Sequence, residues 1–401
     1  MTERLYYEDA YLLSFTAEVI RCEQAAKGVR VYLDRTAFYP ESGGQPADQG
    51  WLDEKPIRDV QEDDQGEIYH LLETPPEGTV TTGVVDFERR FDHMQQHTGQ
   101  HILSALAVKQ FGWQTISFHL GQATSTIDLD TPAMSAAELE QILAMANRII
   151  WQNGQVSVGF YPSNEISGLD LRKPTDRTGM IRVIGIEGYD RSACGGTHVR
   201  RTGEVGIILV PRLERMRGRV RVHFVCGGRA YQLWSSEHRV LMQLVEITTT
   251  GYEELPQKIE KELQTLRQLD KEQLRLKMRL WEMSIPELQE RGRKMGAMTV
   301  VSAELDESLD AIRFIGRQLT VRYPATVGVL ASLPAGVLLV TRGPDLALDL
   351  TRLVEHLRRH ATIKGGGRPE EVQMGGLDAR SLSSLIRQVI DWLDQNSSCA
   401  E

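Results

Sequence analysis

The sequence predicts an α+β protein of several domains, and three features predict it. Short β-type runs broken by turn residues fill the first 90 residues. Helical spacing takes over at Asp92 and then mixes with further strands. A leucine-rich helical series then leads into a region where strands and helices alternate. These shifts divide the 401 residues into a small β-barrel (1–90), an α+β domain (91–226), a helical coiled-coil arm (227–297) and a C-terminal α/β domain (298–401).

Each element has its own signal. Val29–Leu33 alternates apolar with polar residues, and Thr79–Phe87 is rich in Val and Thr. Ser42-Gly43-Gly44, Asp64-Gln65-Gly66 and Pro75-Pro76-Glu77-Gly78 mark turns between such strands, the pattern of a small barrel or sandwich. From Asp92, His97, His101, Leu103–Leu106 and Val108 fall at helical spacings, and Gly112 stops the run. A strand-like stretch covers Ser117–Leu129, and Ser135 with Glu138 forms a capping-box start for a helix to Trp151. Val156–Tyr161, Ile181–Ile186, Glu204–Val210 and Arg219–Val225 read as strands.

Leu255, Ile259, Leu263, Leu266, Leu269, Leu276, Leu280 and Met283 recur at spacings of 3, 4 and 7, with Glu and Lys between them. That series predicts a coiled-coil arm and, through it or the C-terminal domain, a homodimer. Ser284-Ile285-Pro286-Glu287 reads as a helix restart with Ser284 as N-cap. Beyond Met298, strands are expected at Thr299–Ser302, Val327–Ala331 and Val337–Thr341, and helices at Glu307–Val321, Leu346–Arg359 and Ser381–Asp394.

Composition excludes several classes. Four scattered cysteines (Cys22, Cys194, Cys226, Cys399) do not make a secreted disulfide scaffold, and read as reduced thiols. The first residues carry acids among apolar side chains and no signal-peptide core. The longest uncharged apolar run, Thr326–Thr341, is broken by Pro334 and Gly336, short of the ~20 residues a membrane helix needs. A soluble, cytoplasmic protein is expected. No GxxxxGK[ST] phosphate loop occurs, and nothing suggests an amino-acid-activating domain.

The net charge of −9 argues against a small basic nucleic-acid-binding domain. Its distribution says more. Residues 1–80 hold 7 Lys+Arg against 17 Asp+Glu, whereas the rest holds 39 against 38. Within 200–223 seven arginines face two glutamates, and 352–368 carries five cations against Glu355 alone. Arg217, Arg219, Arg221, Lys364 and Arg368 are therefore candidate contacts to nucleic-acid phosphates.

Two motifs carry chemistry. In His93-Met-Gln-Gln-His97-Thr-Gly-Gln-His101, residues i and i+4 share a helix face, a span one metal ion can bridge. His93 and His101 lie about 12 Å apart along a helix, so one HxxxH pair binds and the third imidazole does something else. In Cys194-Gly-Gly-Thr-His198, paired glycines let a thiol and an imidazole face one point. Together the motifs offer three nitrogens and one sulfur, the complement that tetrahedral Zn2+ prefers.

His97-Thr98-Gly99-Gln100-His101-Ile102-Leu103 and Cys194-Gly195-Gly196-Thr197-His198-Val199 together resemble the editing domain of alanyl-tRNA synthetase. They resemble the freestanding AlaX editing proteins more closely. Phe38–Gly50, with Ser42-Gly43-Gly44-Gln45, is similar to the glycine-rich motif of the longer AlaX forms. Lys364-Gly365-Gly366-Gly367-Arg368-Pro369, with Gln373 and Gly375-Gly376, resembles the DHHA1-type domain that ends alanyl-tRNA synthetases and occurs on DHH-type phosphoesterases.

The resemblance to a long-form AlaX protein implies His97, His101, Cys194 and His198 as zinc ligands, which leaves His93 as a solvated or packing residue. It implies trans-editing: hydrolysis of the aminoacyl ester of tRNA(Ala) mischarged with serine, and also with glycine. A polar pocket rejects alanine, which leaves its hydrogen-bond partners unmet. Ser117, His119, Thr124, Ser125 and Thr126 are candidates for that pocket, with Ser42, Gly43, Gly44 and Gln45 approaching the aminoacyl or adenosine group. No general base is evident, so catalysis stays tied to a zinc-associated water. Four protein ligands normally close a site, so substrate or water must expand the coordination, displace a ligand or react beside the metal. Two rivals remain. A DHH-type phosphodiesterase needs an Asp-His-His cluster, which Asp92-His93-Met94 is not. A non-catalytic tRNA-binding or dimerisation protein would keep the zinc for structure.

Overall fold

A computed structural model describes residues 2–359 and 363–397. Cys399 lies outside the described residues. The chain folds as two compact units, Met1–Ile247 and Thr248–Glu401.

The first unit opens with a seven-stranded sheet in the order Lys55–Ile57, Gly50–Leu52, Val80–Val85, Ser14–Ala25, Gly28–Leu33, Ile68–Leu72 and Asp59–Glu62. All its pairings are antiparallel. The edge strand Lys55–Ile57 returns against Ile68–Leu72, so the sheet nearly closes into a barrel. Its alternating residues point inward, and Val31, Leu33, Phe38, Leu52, Ile68 and Leu72 fill the interior.

Helix α1 (Phe87–Phe111) follows at once, five residues earlier than the histidine spacing suggests. Asp86 decides the start: its carboxylate accepts the Arg89 amide, and Gly112 closes the far end in the left-handed region. The predicted strand at Ser117–Leu129 is a hairpin, Thr115–Leu120 with Ser125–Leu129. It joins Arg219–Cys226 and Ile208–Met216 in a four-stranded sheet. Helix α2 (Ala136–Gln152) starts with the predicted Ser135/Glu138 capping box. A three-stranded sheet pairs Val156–Pro162, Met180–Ile186 and Asp190–Ala193. The strand expected at Glu204–Val210 is instead a 3-10 turn at Thr202–Val205, with the strand beginning at Ile208. Glu204 explains it, because its carboxylate accepts the Arg201 amide and folds the chain back on itself. Helix α3 (Gly227–Thr248) is anchored at its first turn, where Arg229 pairs with Asp92.

In the second unit, α4 (Leu255–Glu290) carries the leucine series, and Leu263, Leu266, Leu269, Leu280 and Met283 lie exposed on it. Helix α4 does not restart at Ser284. The Ser284 hydroxyl donates to Trp281 O inside the helix, and the chain runs on through Pro286 to Glu290. Burial explains the continuity: Ile285 and Leu288 pack against α5 (Leu309–Arg322) and the sheet, which offsets the proline's missing donor.

The six-stranded sheet runs Arg293–Met295, Met298–Leu305, Thr326–Ser332, Val337–Arg342, Glu371–Gly375 and Lys364–Arg368. Only Met298–Leu305 and Thr326–Ser332 pair in parallel, joined through α5 as a βαβ unit. The opposite face is covered by α6 (Leu350–Arg358) and α7 (Ala379–Gln395) over a core that includes Leu353, Leu385 and Leu393. The glycine-rich run 364–368 is a strand.

Candidate metal centre

Helix α1 is set against the barrel by a buried ion pair. Arg90 Nε donates to both oxygens of Asp48 at 3.0 Å, and its Nη2 also reaches Asp48 and donates to Ala37 O at 2.6 Å. Asp48 in turn accepts the Tyr39 amide at 2.6 Å. Both charged groups are fully buried, so their pairing locks the Phe38–Gly50 segment onto the helix. That lock delivers Gln45 to the site.

His97 and His101 stand one turn apart on the buried face of α1. Strand Asp190–Ala193 brings Cys194 opposite, and the following turn brings His198. Arg182 holds this turn by donating Nη1 to Cys194 O at 2.8 Å and to Gly196 O at 2.9 Å. Gly196 cannot carry a side chain, since a Cβ there would lie 2.2 Å from His97 Cε1. The donor atoms of His97, His101, Cys194 and His198 all lie within 4.8 Å of one another.

The outer partners fix which nitrogen of each ring faces inward. His97 Nδ1 donates to Gln45 Oε1 at 2.8 Å, an oxygen that also accepts the Thr197 amide at 3.2 Å. His101 Nδ1 donates to Asp190 Oδ2 at 2.8 Å, and Asp190 is held by Arg172 Nε at 2.8 Å. His198 Nδ1 shares a hydrogen bond with Thr98 Oγ1 at 3.1 Å. With Nδ1 of each ring turned outward, the Nε2 atoms face Cys194 Sγ, which lies 3.5 Å from His97 Nε2 and 3.4 Å from His198 Nε2. The edges of a tetrahedral zinc site with three nitrogens and one sulfur measure about 3.3–3.6 Å. The donor set fits zinc in chemistry, and the two Cys194 distances match those edges.

Electrostatics at three of the four donors agree with a ligand set. Burial alone would raise the Cys194 thiol, but the imidazoles of His97, His198 and His101 bring it well below its ordinary value, toward thiolate. Burial lowers His97 and His198, favouring neutral rings. At His101 burial is overridden by Asp190 and Cys194, which raise it to about 9. Asp190, despite its burial, is held at about 2 by His101 and Arg172.

Two hollows open on the group. One of about 360 Å³ is lined by Tyr7, Tyr39, Ser42, Gly43, Phe118 and Arg177, beside His97 and Cys194. The other, about 290 Å³, is lined by Gln100, Thr115, Ser117, Lys173 and Arg177 with His97, His101 and Cys194. Phe118 lies 5.1 Å from the His97 ring between centroids. Of the predicted pocket residues, Ser42, Gly43 and Ser117 line these hollows, and Ser117 donates to Asp128 at 2.8 Å. Gly44, His119, Thr124, Ser125 and Thr126 line neither, and Gln45 serves the His97 ring from behind.

His93 stands apart from the ligand group and is buried, not solvated; burial lowers its ring to about 4. Arg221 is bound bidentately by Asp128 at 2.7 and 2.9 Å, whereas Arg217, Arg219, Lys364 and Arg368 are exposed. Sequence reasoning missed Asp190, Arg172, Arg182 and Thr98. Only Thr98 was within reach of it, as the second letter of the His97–His101 motif.

The model of the threonyl and alanyl tRNA synthetase second additional domain matches residues 181–222, which include Cys194 and His198. The chain is 30% identical over 394 residues to the alanyl-tRNA editing protein AlaX-L of Pyrococcus horikoshii, covering 95% of this chain and 96% of that one. It belongs to the alanyl-tRNA editing protein family. Another relative in this family, Aarsd1-B of Xenopus laevis, is 31% identical over 284 residues, 67% of this chain and 69% of its own. An alanine–tRNA ligase of Pyrococcus abyssi is 32% identical over 412 residues, 98% of this chain and 44% of the ligase. The chain thus spans less than half the length of the alanine–tRNA ligases it matches. The solved C-Ala domain of Aquifex aeolicus alanyl-tRNA synthetase matches 26% of this chain and 97% of its own at 15% identity, with a TM-score of 0.23. Among the described residues no helix is long and apolar enough to cross a membrane.

Proposed function

We propose that this chain is a trans-editing aminoacyl-tRNA deacylase that hydrolyses the ester of serine, and secondarily of glycine, on mischarged tRNA(Ala). One observation carries the reading: in a chain aligned over nearly its whole length with an alanyl-tRNA editing protein, four metal-type donors converge beside two open hollows. His97, His101, Cys194 and His198 hold Zn2+. When bound, zinc supplies Lewis acidity that polarises an ester carbonyl or acidifies a water.

The chain's own residues do the rest. Gln45, Asp190 and Thr98 partner the three Nδ1 atoms, so each ring keeps one orientation. Arg182 fixes the backbone on either side of Gly195. Tyr7, Tyr39 and Phe118 give the first hollow an aromatic wall on which the terminal adenosine stacks, and Arg177, shared by both hollows, takes a terminal phosphate. Ser42 and Ser117 are the polar side chains positioned to read the serine hydroxyl. Arg217, Arg219, Lys364 and Arg368 contact tRNA phosphates, and the exposed leucines of α4 pair two copies into a homodimer.

The complete four-donor set also favours a second reading, a tRNA-binding protein with a structural zinc. Deacylation of Ser-tRNA(Ala) by the parent, lost in His97→Ala and Cys194→Ala, supports the editing reading. An inactive parent that binds tRNA and one zinc per chain supports the structural one. Hydrolysis that persists after loss of the metal overturns the zinc assignment.

A further inference from the structure

Helix α1 brings one further side chain to the metal centre, outside the donor group. Gln100 follows His97 by three residues and immediately precedes His101. It lines the hollow of about 290 Å³ that opens on both rings, and is itself only 4% exposed. Residues three apart on a helix have Cβ atoms about 5–6 Å apart, so the Gln100 amide works within one turn of the donors.

The amide is held from behind. Gln100 Nε2 donates to Ser104 Oγ at 2.8 Å, one turn further along α1, and Thr115 Oγ1 donates to the same oxygen at 2.7 Å from the adjoining strand. Ser104 is fully buried. With Nε2 turned to Ser104, the amide presents Oε1 on its other side, and among the described residues no donor reaches it. Nor is that oxygen sealed in: among the described residues the buried side-chain polar atoms without a partner are His93 Nδ1, Ser125 Oγ and Thr341 Oγ1. Gln100 Oε1 is therefore an open acceptor on a side chain that is otherwise packed. Hydroxyls around it have other partners. Ser192 donates to Asp190, Thr115 to Ser104, and the exposed Ser117 to Asp128.

We propose that Gln100 is a specificity-determining residue, whose Oε1 accepts the hydroxyl proton of a seryl group bound beside the metal centre. This assignment rests on the deacylase reading. A seryl hydroxyl meets Oε1 as water does, whereas an alanyl methyl group displaces water and leaves the acceptor unmet. That loss is felt most where a side chain is packed and little other water can reach it, which separates Gln100 from the exposed Ser117. Ser104 is a positioning residue: it fixes the amide plane and so the direction of Oε1.

The test measures binding of two adenosine analogues that carry serine or alanine on a 3′ amide, which replaces the hydrolysable ester. The parent binds the seryl analogue at least tenfold more tightly than the alanyl one, the effect of one hydrogen bond met against unmet. Gln100→Met keeps the length, removes the acceptor and brings that ratio to within about twofold of one, with the metal content of the parent. Ser104→Ala frees the amide and lowers the ratio a few fold. It carries the test if Gln100→Met loses its metal or its thermal transition. A parent ratio near one, or the parent's ratio kept in both variants, overturns the proposal. Equal loss of both analogues in the two variants makes Gln100 a support of the centre and likewise overturns it. Ser-tRNA(Ala) turnover by the parent is followed alongside. A parent that prefers the seryl analogue but leaves the tRNA acylated overturns the hydrolysis reading and supports Gln100 as the reader of the hydroxyl.

Discussion

The metal centre and an arginine-lined hollow answer the same physical problem in opposite ways. At the centre each ring's second nitrogen already has a partner, so the donors are held before anything arrives. In the second unit, the hollow lined by α5 and the Lys364–Gly375 hairpin carries Arg317 and Arg368, which pair with no carboxylate among the described residues. A buried group cannot wait unpartnered without cost, whereas an exposed guanidinium can wait in water. Preorganisation therefore concentrates where water is excluded, and charge is left free where water is not.

Attacking the held donors should produce the largest effects. Cys194→Ala removes the sulfur and, on the proposed reading, takes zinc from one per chain to none and deacylation down by at least a thousandfold. Metal analysis of the purified chain and Ser-tRNA(Ala) turnover check both. Next comes Asp48→Asn, which leaves Arg90 buried opposite a neutral group. Breaking such a pair costs about 3–5 kcal/mol, read as a lowered thermal midpoint and a weaker grip of Gln45 on His97. Asp190→Asn keeps the volume but weakens the hold on His101; outer partners of this kind are worth about 10–100-fold in metal affinity, measurable by chelator competition. Affinity equal to the parent's would mean that the ring orientation is set by packing alone. Smallest is Arg217→Gln, which should weaken tRNA binding only a few fold and reduce its salt slope by about one, since a single phosphate contact is lost.

The same contrast explains what the sequence could disclose. Helical spacing narrows the α1 donors to one HxxxH pair among His93, His97 and His101, the resemblance to AlaX proteins chooses His97 and His101, and two glycines mark the Cys194–His198 turn. Asp190 and Arg172 were not legible. They meet His101 through the pairing of Met180–Ile186 with Asp190–Ala193 and the loop before it, contacts between residues up to 89 apart. The four candidate donors are spelled largely by local motifs and their supports by tertiary packing. Of the polar residues proposed to face the substrate, those on the far half of the Thr115–Leu129 hairpin miss the hollows, because a turn at residues 121–124 separates the two strands. Ser284 misled for a related reason. Its cap-like spelling is a local signal, and the burial of Ile285 that keeps α4 continuous is not.

Gln45, the two histidines of α1 and the Asp190–His198 segment come from three stretches of chain made one after another during synthesis. A growing polypeptide can present His97 and His101 early, with Gln45 already made to hold the His97 ring, but the Asp190 partner of His101 comes only with the last segment. On the proposed reading, loading of the ion then becomes a checkpoint on assembly. Chains stalled or cut before residue 198 would hold at most three of the four donors.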